Sequence, residues 1–224
     1  MTFQRPCVLI PSYNAASTIG ALVTNIKPLG MDIIVVNDGS EDCTAQAAAD
    51  AGALVIGHVR NRGKGAALRT GFAFALHAGY DAVVTLDSDG QHDPSEIPHL
   101  LETARHLDGD GIVLGHRLAN GAAMPTARRW TNRLMSWIVS TMTRQSIPDS
   151  QCGFRVIPAR VLQQVTLTTN QFELETELLL AAARHGRRIH SVPIRTIYDH
   201  HTSHIRPFAD GLRFIRLIVR YLFR

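Results

Sequence analysis

Through about the first half of the chain, short apolar runs alternate with helix-like segments, and each of the first four runs stops in polar residues. Val8-Leu9-Ile10 ends at Pro11 and gives way to Ser12-Tyr13-Asn14. Asp32 to Val36 leads to Asn37-Asp38-Gly39-Ser40, and Ala53 to Ile56 leads to Arg60. Ala82 to Leu86 leads to Asp87-Ser88-Asp89-Gly90-Gln91-His92. Between the runs lie helical patterns over Ser17 to Ile26, with Ser17 as N-cap, over Thr44 to Ala51 and over Lys64 to Ala78. Runs that are apolar without alternation belong to strands covered on both faces, so the pattern predicts a parallel sheet of βαβ units. In such a sheet the polar strand ends converge at one carboxyl edge, where open α/β sheets bind their ligands. A solvated turn explains any one of these ends; four in register point to a nucleotide pocket.

After Ile112-Val113-Leu114 the rhythm changes. The pattern gives a loop over Ala119 to Pro125, a long helix over Thr126 to Arg144, and loop then strand over Asp149 to Ile157. A helix follows over Gln171 to His185, then a strand over Ile189 to Ile197 that Pro193 places at an edge. Tyr198 to Arg206 reads as a loop and Phe208 to Arg224 as a final helix. With 45% hydrophobic and 19% charged residues, one domain with a full core is expected: its body over 1–206, with 207–224 as its last helix or as a membrane or dimer contact. The net charge of +4 suits anionic ligands, while dispersed basic residues and 6% aromatics argue against nucleic acid. Cys7, Cys43 and Cys152 have neither zinc nor disulfide spacing, which favours a reducing compartment. No signal peptide and no membrane span are expected, so the reading is cytoplasmic, soluble or peripheral.

Asp87 and Asp89, one residue apart at a strand end, can turn oxygens toward one hard divalent cation, and a cation there could hold a pyrophosphate. Gly63-Lys64-Gly65 opens a helix, but Ala66 stands where a P-loop needs Ser or Thr, and no Gly-x-Gly-x-x-Gly occurs. An ATPase or a dinucleotide oxidoreductase is therefore disfavoured, and Lys64 taken alone reads as a solvated helix start. Glu173 and Glu175 open the Gln171–His185 helix; either a general base or a favourable charge at a helix start accounts for them.

The ordered set Ile10-Pro11-Ser12-Tyr13-Asn14, Val36-Asn37-Asp38-Gly39-Ser40, Asn61-Arg62-Gly63-Lys64-Gly65 and Asp87-Ser88-Asp89-Gly90-Gln91-His92 resembles family-two glycosyltransferases of the GT-A fold. Gly115-His116-Arg117, Asp149-Ser150-Gln151-Cys152-Gly153-Phe154-Arg155 and Phe172-Glu173-Leu174-Glu175 extend the resemblance toward the dolichyl- or polyprenyl-phosphate mannose synthase branch. The resemblance implies an α/β GT-A fold with a mostly parallel sheet flanked by helices. It implies a donor pocket for a GDP- or UDP-linked sugar, lined by Pro11 and Tyr13, with Asp38 on the base or ribose and Asp87 facing the nucleotide beside Lys64. Asp89 and Gln91 would bind Mg²⁺ or Mn²⁺, Arg117 and Arg129 an acceptor phosphate, Arg155 would face the site from a loop, and Glu175 matches a catalytic glutamate. The chain departs from the family at Ala15, where Glu is usual, at Asn37, where Asp is usual, and at His201-Thr202-Ser203-His204, where the branch has Gly-Glu-Ser-Lys. His204 would then reach the diphosphate in its protonated form, from a loop that closes over the nucleotide; a metal-binding tract formed with His190, His200 and His201 is the other reading.

The implied activity is metal-dependent, inverting transfer of a sugar to a lipid-linked acceptor, with polyprenyl phosphate ahead of a lipid or glycan hydroxyl. A nucleotidyltransferase would want a Gly-rich, Arg-containing loop after the first strand; a non-catalytic nucleotide-binding protein at the membrane surface would more readily have lost Asp87 or Asp89. In the last helix Arg213, Arg216, Arg220 and Arg224 share a face of an otherwise apolar segment. That pattern suits peripheral contact with an anionic membrane at its cytosolic face, or packing, or a homodimer contact.

Overall fold

The computed structural model describes residues 3–117, 126–195 and 207–223. Seven strands form one sheet in the order β3-β2-β1-β4-β6-β5-β7. They are β1 (Pro6–Ser12), β2 (Asp32–Asn37), β3 (Leu54–Gly57), β4 (Ala82–Thr85), β5 (Gly111–His116), β6 (Arg155–Pro158) and β7 (Arg188–Pro193). The apolar runs are the cause: Cys7 to Ile10, Ile34 to Val36 and Ala82 to Val84 are fully buried, as strands sandwiched between helices must be. β1 pairs in parallel with β2 on one side and β4 on the other, because the chain steps outward to β3 and then returns across β1. That return is a topological switch point, and it opens a crevice between the carboxyl ends of β1 and β4.

The expectation of a mostly parallel sheet agrees with this arrangement, and β6 is its one antiparallel strand. β6 runs between β4 and β5, pairing Thr85 with Arg155 and Leu114 with Arg155. Its reversed direction puts the segment entering it, Asp149 to Phe154, at the same edge as the ends of β4 and β5. The Thr85 hydroxyl fixes that segment by donating to the Gly153 carbonyl at 2.7 Å. β7 lies at the edge, in keeping with Pro193.

The helices are α1 (Ile19–Ile26), α2 (Thr44–Asp50), α3 (Lys64–His77), α4 (Ile97–His106), α5 (Thr126–Thr143), α6 (Ala159–Leu162), α7 (Leu174–Arg184) and α8 (Pro207–Leu222). At α7 and α1 the bounds differ from the sequence reading, α7 starting at Leu174 rather than Gln171. α1 starts at Ile19 with Thr18, not Ser17, at its cap. A 3-10 turn, Pro94–Glu96, capped by the Asp93 side chain, precedes α4. α6, a single turn, carried no readable period. α3 lies tight on the sheet: a Cβ at Gly71 would fall 2.2 Å from Leu9 Cδ1, so a larger residue would push the buried Leu9 side chain aside. α8 packs on α7, burying Phe214, Leu217 and Tyr221. The segments expected as loops, Ala119–Pro125 and Tyr198–Arg206, lie outside the described residues.

Candidate active site

The segments that follow β1 and β2 are bound together by main-chain donors and short side chains. The Asp38 N–H donates to the Ser12 carbonyl at 2.8 Å, and the Ala15 N–H to Thr44 Oγ1 at 2.8 Å. Asn14, in the left-handed region at φ 50°, donates its N–H to Ser40 Oγ and accepts from the Glu41 N–H. Gly39, at φ 69°, lies against the Arg60–Asn61 backbone, where a Cβ would come within 2.3 Å. Pro11 does not end its strand: it is buried inside β1 opposite Val36, and half-buried Tyr13 is the residue at the rim.

Asp38 is held from three sides. Its carboxylate is buried and accepts from His58 Nδ1 at 2.6 Å, the Arg62 N–H at 3.0 Å and the Gly63 N–H at 2.7 Å. These bonds tie β2 to the start of α3 and leave the expected base or ribose contact at most one of the four lone-pair sites. His58 Nε2 meets Thr70 Oγ1 at 2.9 Å, closing the chain onto α3. Gly63-Lys64-Gly65 is likewise a packing device. A Cβ at Gly63 or Gly65 would fall 2.4 or 2.6 Å from the main-chain oxygens of Asn170 and Gln171, and the Ala66 N–H donates to Asn170 O at 3.0 Å.

That fit places Lys64 at the centre of the site. Its ammonium lies 2.5 Å from Asp87 Oδ1 and 3.2 Å from Glu175 Oε2, with the Phe172 ring 5.7 Å away. Lys64 is therefore not a solvated helix-start residue. Burial alone would lower its pKa, but Asp87 and then Glu175 raise it above the lysine range. Burial likewise pushes the Asp87 carboxyl up, and Lys64, then His92, hold it well below the carboxylate range. Buried His92 sets Nε2 3.6 Å from Asp87 Oδ2. Gly153 completes the seat: a Cβ there would fall 2.5 Å from Asp87 Oδ1.

Asp89 and Gln91 share the next turn, in which Asp89 Oδ1 accepts the Gln91 N–H at 3.0 Å and Gly90 takes φ 72°. Asp89 is half-buried, with Oδ2 outside that bond. Among the described residues no three His, Cys, Asp or Glu side chains converge on a point. One hard carboxylate at a strand end fits a cation that takes its remaining ligands from phosphate and water, which is how Mg²⁺ is commonly held.

Just after β5, Arg117 is buried and forms a fork with fully buried Asp149: Nε to Oδ2 at 2.8 Å and Nη2 to Oδ1 at 3.0 Å, with the Arg117 N–H also donating to Oδ2. Burial opposes the charge on both groups. Cys152 and then Asp149 raise the Arg117 pKa, and Arg117 lowers that of Asp149. Nη1 stands outside the pair. Arg129 is half-buried on the first turns of α5. Arg155 does not face the site from a loop. It is the first residue of β6, 1% exposed, and donates to three main-chain oxygens, of Cys152 at 2.8 Å, Glu175 at 2.6 Å and Ser150 at 2.9 Å. It holds Glu175 and the Asp149–Gly153 segment in place. His200, His201 and His204 lie outside the described residues, while His190 is exposed on β7.

The structure thus gathers Asp87, Asp89, Gln91, Lys64 and Glu175 along the crevice. His92, Asp149, His58 and Gly153 had drawn no role from the sequence. Each works through a neighbour supplied by another strand or helix, and no local spacing signals such a pairing.

A mostly parallel sheet with a crevice at its switch point, an Asp-x-Asp turn after β4 and an arginine at the end of β5 is the architecture of the GT-A fold. Residues 7–166 match the family described as Glycosyl transferase family 2, and the chain belongs to that family; it is a glycosyltransferase. It is 32% identical over 209 residues to the polyprenol monophosphomannose synthase of Mycolicibacterium smegmatis, covering 85% of this chain and 77% of that one. It is 30% identical over 204 residues to the undecaprenyl-phosphate mannosyltransferase of Micrococcus luteus, covering 85% and 83%. Among solved structures, its fold is similar to that of the glucosyl-3-phosphoglycerate synthase of Mycobacterium tuberculosis. The complex with UDP gives a TM-score of 0.77 at 21% identity, covering 97% of this chain and 79% of that one. The complex with Mn²⁺, UDP and glucosyl-3-phosphoglycerate gives 0.71 at 20% identity, covering 97% and 78%.

Proposed function

We propose that the enzyme transfers a glycosyl group from a GDP- or UDP-linked sugar to a polyprenyl phosphate, inverting the anomeric carbon. A phosphate oxygen of the acceptor attacks C1, the bond from C1 to the diphosphate oxygen breaks, and the nucleoside diphosphate leaves with that electron pair. Tyr13 and the β1 rim bind the nucleoside, Asp87 and Lys64 fix the polar wall beside the diphosphate, and Asp89 with Gln91 would hold Mg²⁺ or Mn²⁺. When bound, that cation neutralises charge on the leaving diphosphate. Arg117, oriented by Asp149, and Arg129 hold the acceptor phosphate.

The observation that carries the choice of acceptor is the setting of Glu175. The candidate general base is buried, with its carboxylate 3.2 Å from the Lys64 ammonium. A hydroxyl nucleophile needs a carboxylate free to take its proton; an ionised phosphate needs none. The relatives named for polyprenyl and undecaprenyl-phosphate acceptors support the same reading. Among the described residues no helix is long and apolar enough to cross a membrane, which is compatible with peripheral work at the cytosolic face. The test offers a short-chain polyprenyl phosphate and the corresponding free polyprenol to the enzyme with each donor and Mn²⁺, with products read by mass spectrometry. Glycosyl-phosphoryl-polyprenol is expected; a product from the free alcohol alone would refute the reading.

A further inference from the structure

Both tryptophans of the chain lie on α5, and both project outward: Trp130 is 71% and Trp137 65% exposed. Leu134 between them is exposed as well, and the spacing 130, 134, 137 sets the three on a single helical stripe. Large apolar side chains collected on one stripe of a folded domain call for a covering. The chemistry of the helix says which one. Thr126–Thr143 carries Arg128, Arg129 and Arg133 and no Asp or Glu. A second copy docked about a two-fold axis would set these arginines against themselves. An anionic bilayer complements them, and tryptophan favours the level of the headgroups.

α8 extends the surface. Its outer stripe, Leu212, Ile215, Val219 and Leu222, is exposed beside Arg216 and Arg220, while its inner stripe packs on α7. Both helices pack on α7, and their ends flank it: Met142 and Thr143 of α5 line one groove of about 370 Å³ with Leu180 and Arg184 of α7 and with Tyr221 and Leu222 of α8. We infer that α5 and α8 form one membrane-docking face, with Trp130, Leu134 and Trp137 seated among the lipid headgroups. Arg129 adjoins Trp130, so seating α5 brings the candidate acceptor arginine to the depth of a lipid phosphate. The inference deepens the lipid-acceptor reading and adds α5 to the surface on which that reading depends.

Because both tryptophans are on α5, intrinsic fluorescence reports that helix alone. The intact protein is titrated with vesicles of phosphatidylcholine and phosphatidylglycerol, with and without brominated acyl chains, alongside co-sedimentation. Emission should shift to the blue and be quenched by the brominated lipid. Trp130→Ser/Trp137→Ser should weaken co-sedimentation by roughly tenfold or more with an unchanged circular dichroism spectrum. Co-sedimentation with unshifted, unquenched emission would overturn the role of α5, as would absence of binding. A blue shift without vesicles that grows with protein concentration would assign the stripe to a second copy instead. Transfer to a short polyprenyl phosphate in vesicle-free solution is read separately. Its success with failed docking sinks only this inference; its failure with successful docking sinks only the acceptor assignment.

Discussion

Asp149→Ala removes the partner of a buried cation. Arg117 is 7% exposed and Asp149 0%, and the carboxylate accepts the Nε, Nη2 and main-chain N–H of Arg117. Taking away one member leaves a guanidinium without compensation in a site closed to water, which costs about 3–5 kcal/mol. At roughly 2–4 °C per kcal/mol for a chain of this size, the thermal midpoint should fall by about 6–20 °C. Urea denaturation gives the free energy directly, at unchanged slope. Removing both charges in Arg117→Met/Asp149→Leu should recover stability to within about 1–2 kcal/mol of the wild type, because the uncompensated charge is gone. Transfer should stay abolished, since the double variant has no guanidinium to offer the acceptor. The pair also sets a pH dependence. The Asp149 carboxyl is held below its unfolded value, so its contribution is present above about pH 4 and is lost as pH falls through the folded value. The stability difference between wild type and Asp149→Asn should therefore be flat from neutral pH to about pH 5 and shrink below that. A loss under about 1 kcal/mol in Asp149→Ala would refute the reasoning.

Three further outcomes are expected. Gly153→Ala forces the Asp87 carboxylate aside, so it should cost about 1–3 kcal/mol of stability and weaken nucleoside diphosphate binding roughly tenfold or more by calorimetry. Retained affinity would show that Asp87 does not depend on this seat. Glu175→Gln, assayed by steady-state kinetics on polyprenyl phosphate, should keep kcat within about tenfold; a fall of about 10³ or more would mark Glu175 as a general base and favour a hydroxyl acceptor. Alkylation of the native protein at mildly alkaline pH, mapped by mass spectrometry, should modify Cys43 alone, because burial pushes the thiols of Cys7 and Cys152 up to about 12. Rapid labelling of Cys152 would mean that the Asp149–Gly153 segment opens.

What could be read from the sequence was what short spacing encodes. Unbroken apolar runs gave buried parallel strands, Pro193 gave an edge, and polar strand ends gave a carboxyl-edge crevice. The hidden parts were pairings between distant segments. Nothing in Arg155–Pro158 announces that it inserts antiparallel between β4 and β5, yet that insertion carries Gly153 to Asp87 and Asp149 to Arg117. A lone arginine before an apolar run looks available for substrate; only the structure shows the Arg155 guanidinium spent on three carbonyls. Gly63-Lys64-Gly65 looked like a phosphate loop because glycine serves close approach of any backbone, here that of Asn170 and Gln171. The wide apolar surface of the last helix was visible in its residues. Its division into a stripe on α7 and a stripe left exposed was not.

In the proposed function, the crevice between β1 and β4 holds a nucleoside diphosphate through a cation at Asp89. Calorimetric titration of the wild type and Asp89→Ala with UDP and GDP, each with Mn²⁺ and with a chelator, tests it most directly. One nucleotide should bind, need the metal, and fail to bind Asp89→Ala, with the fold intact. Binding of neither nucleotide, or metal-dependent binding that survives in the variant, would contradict it.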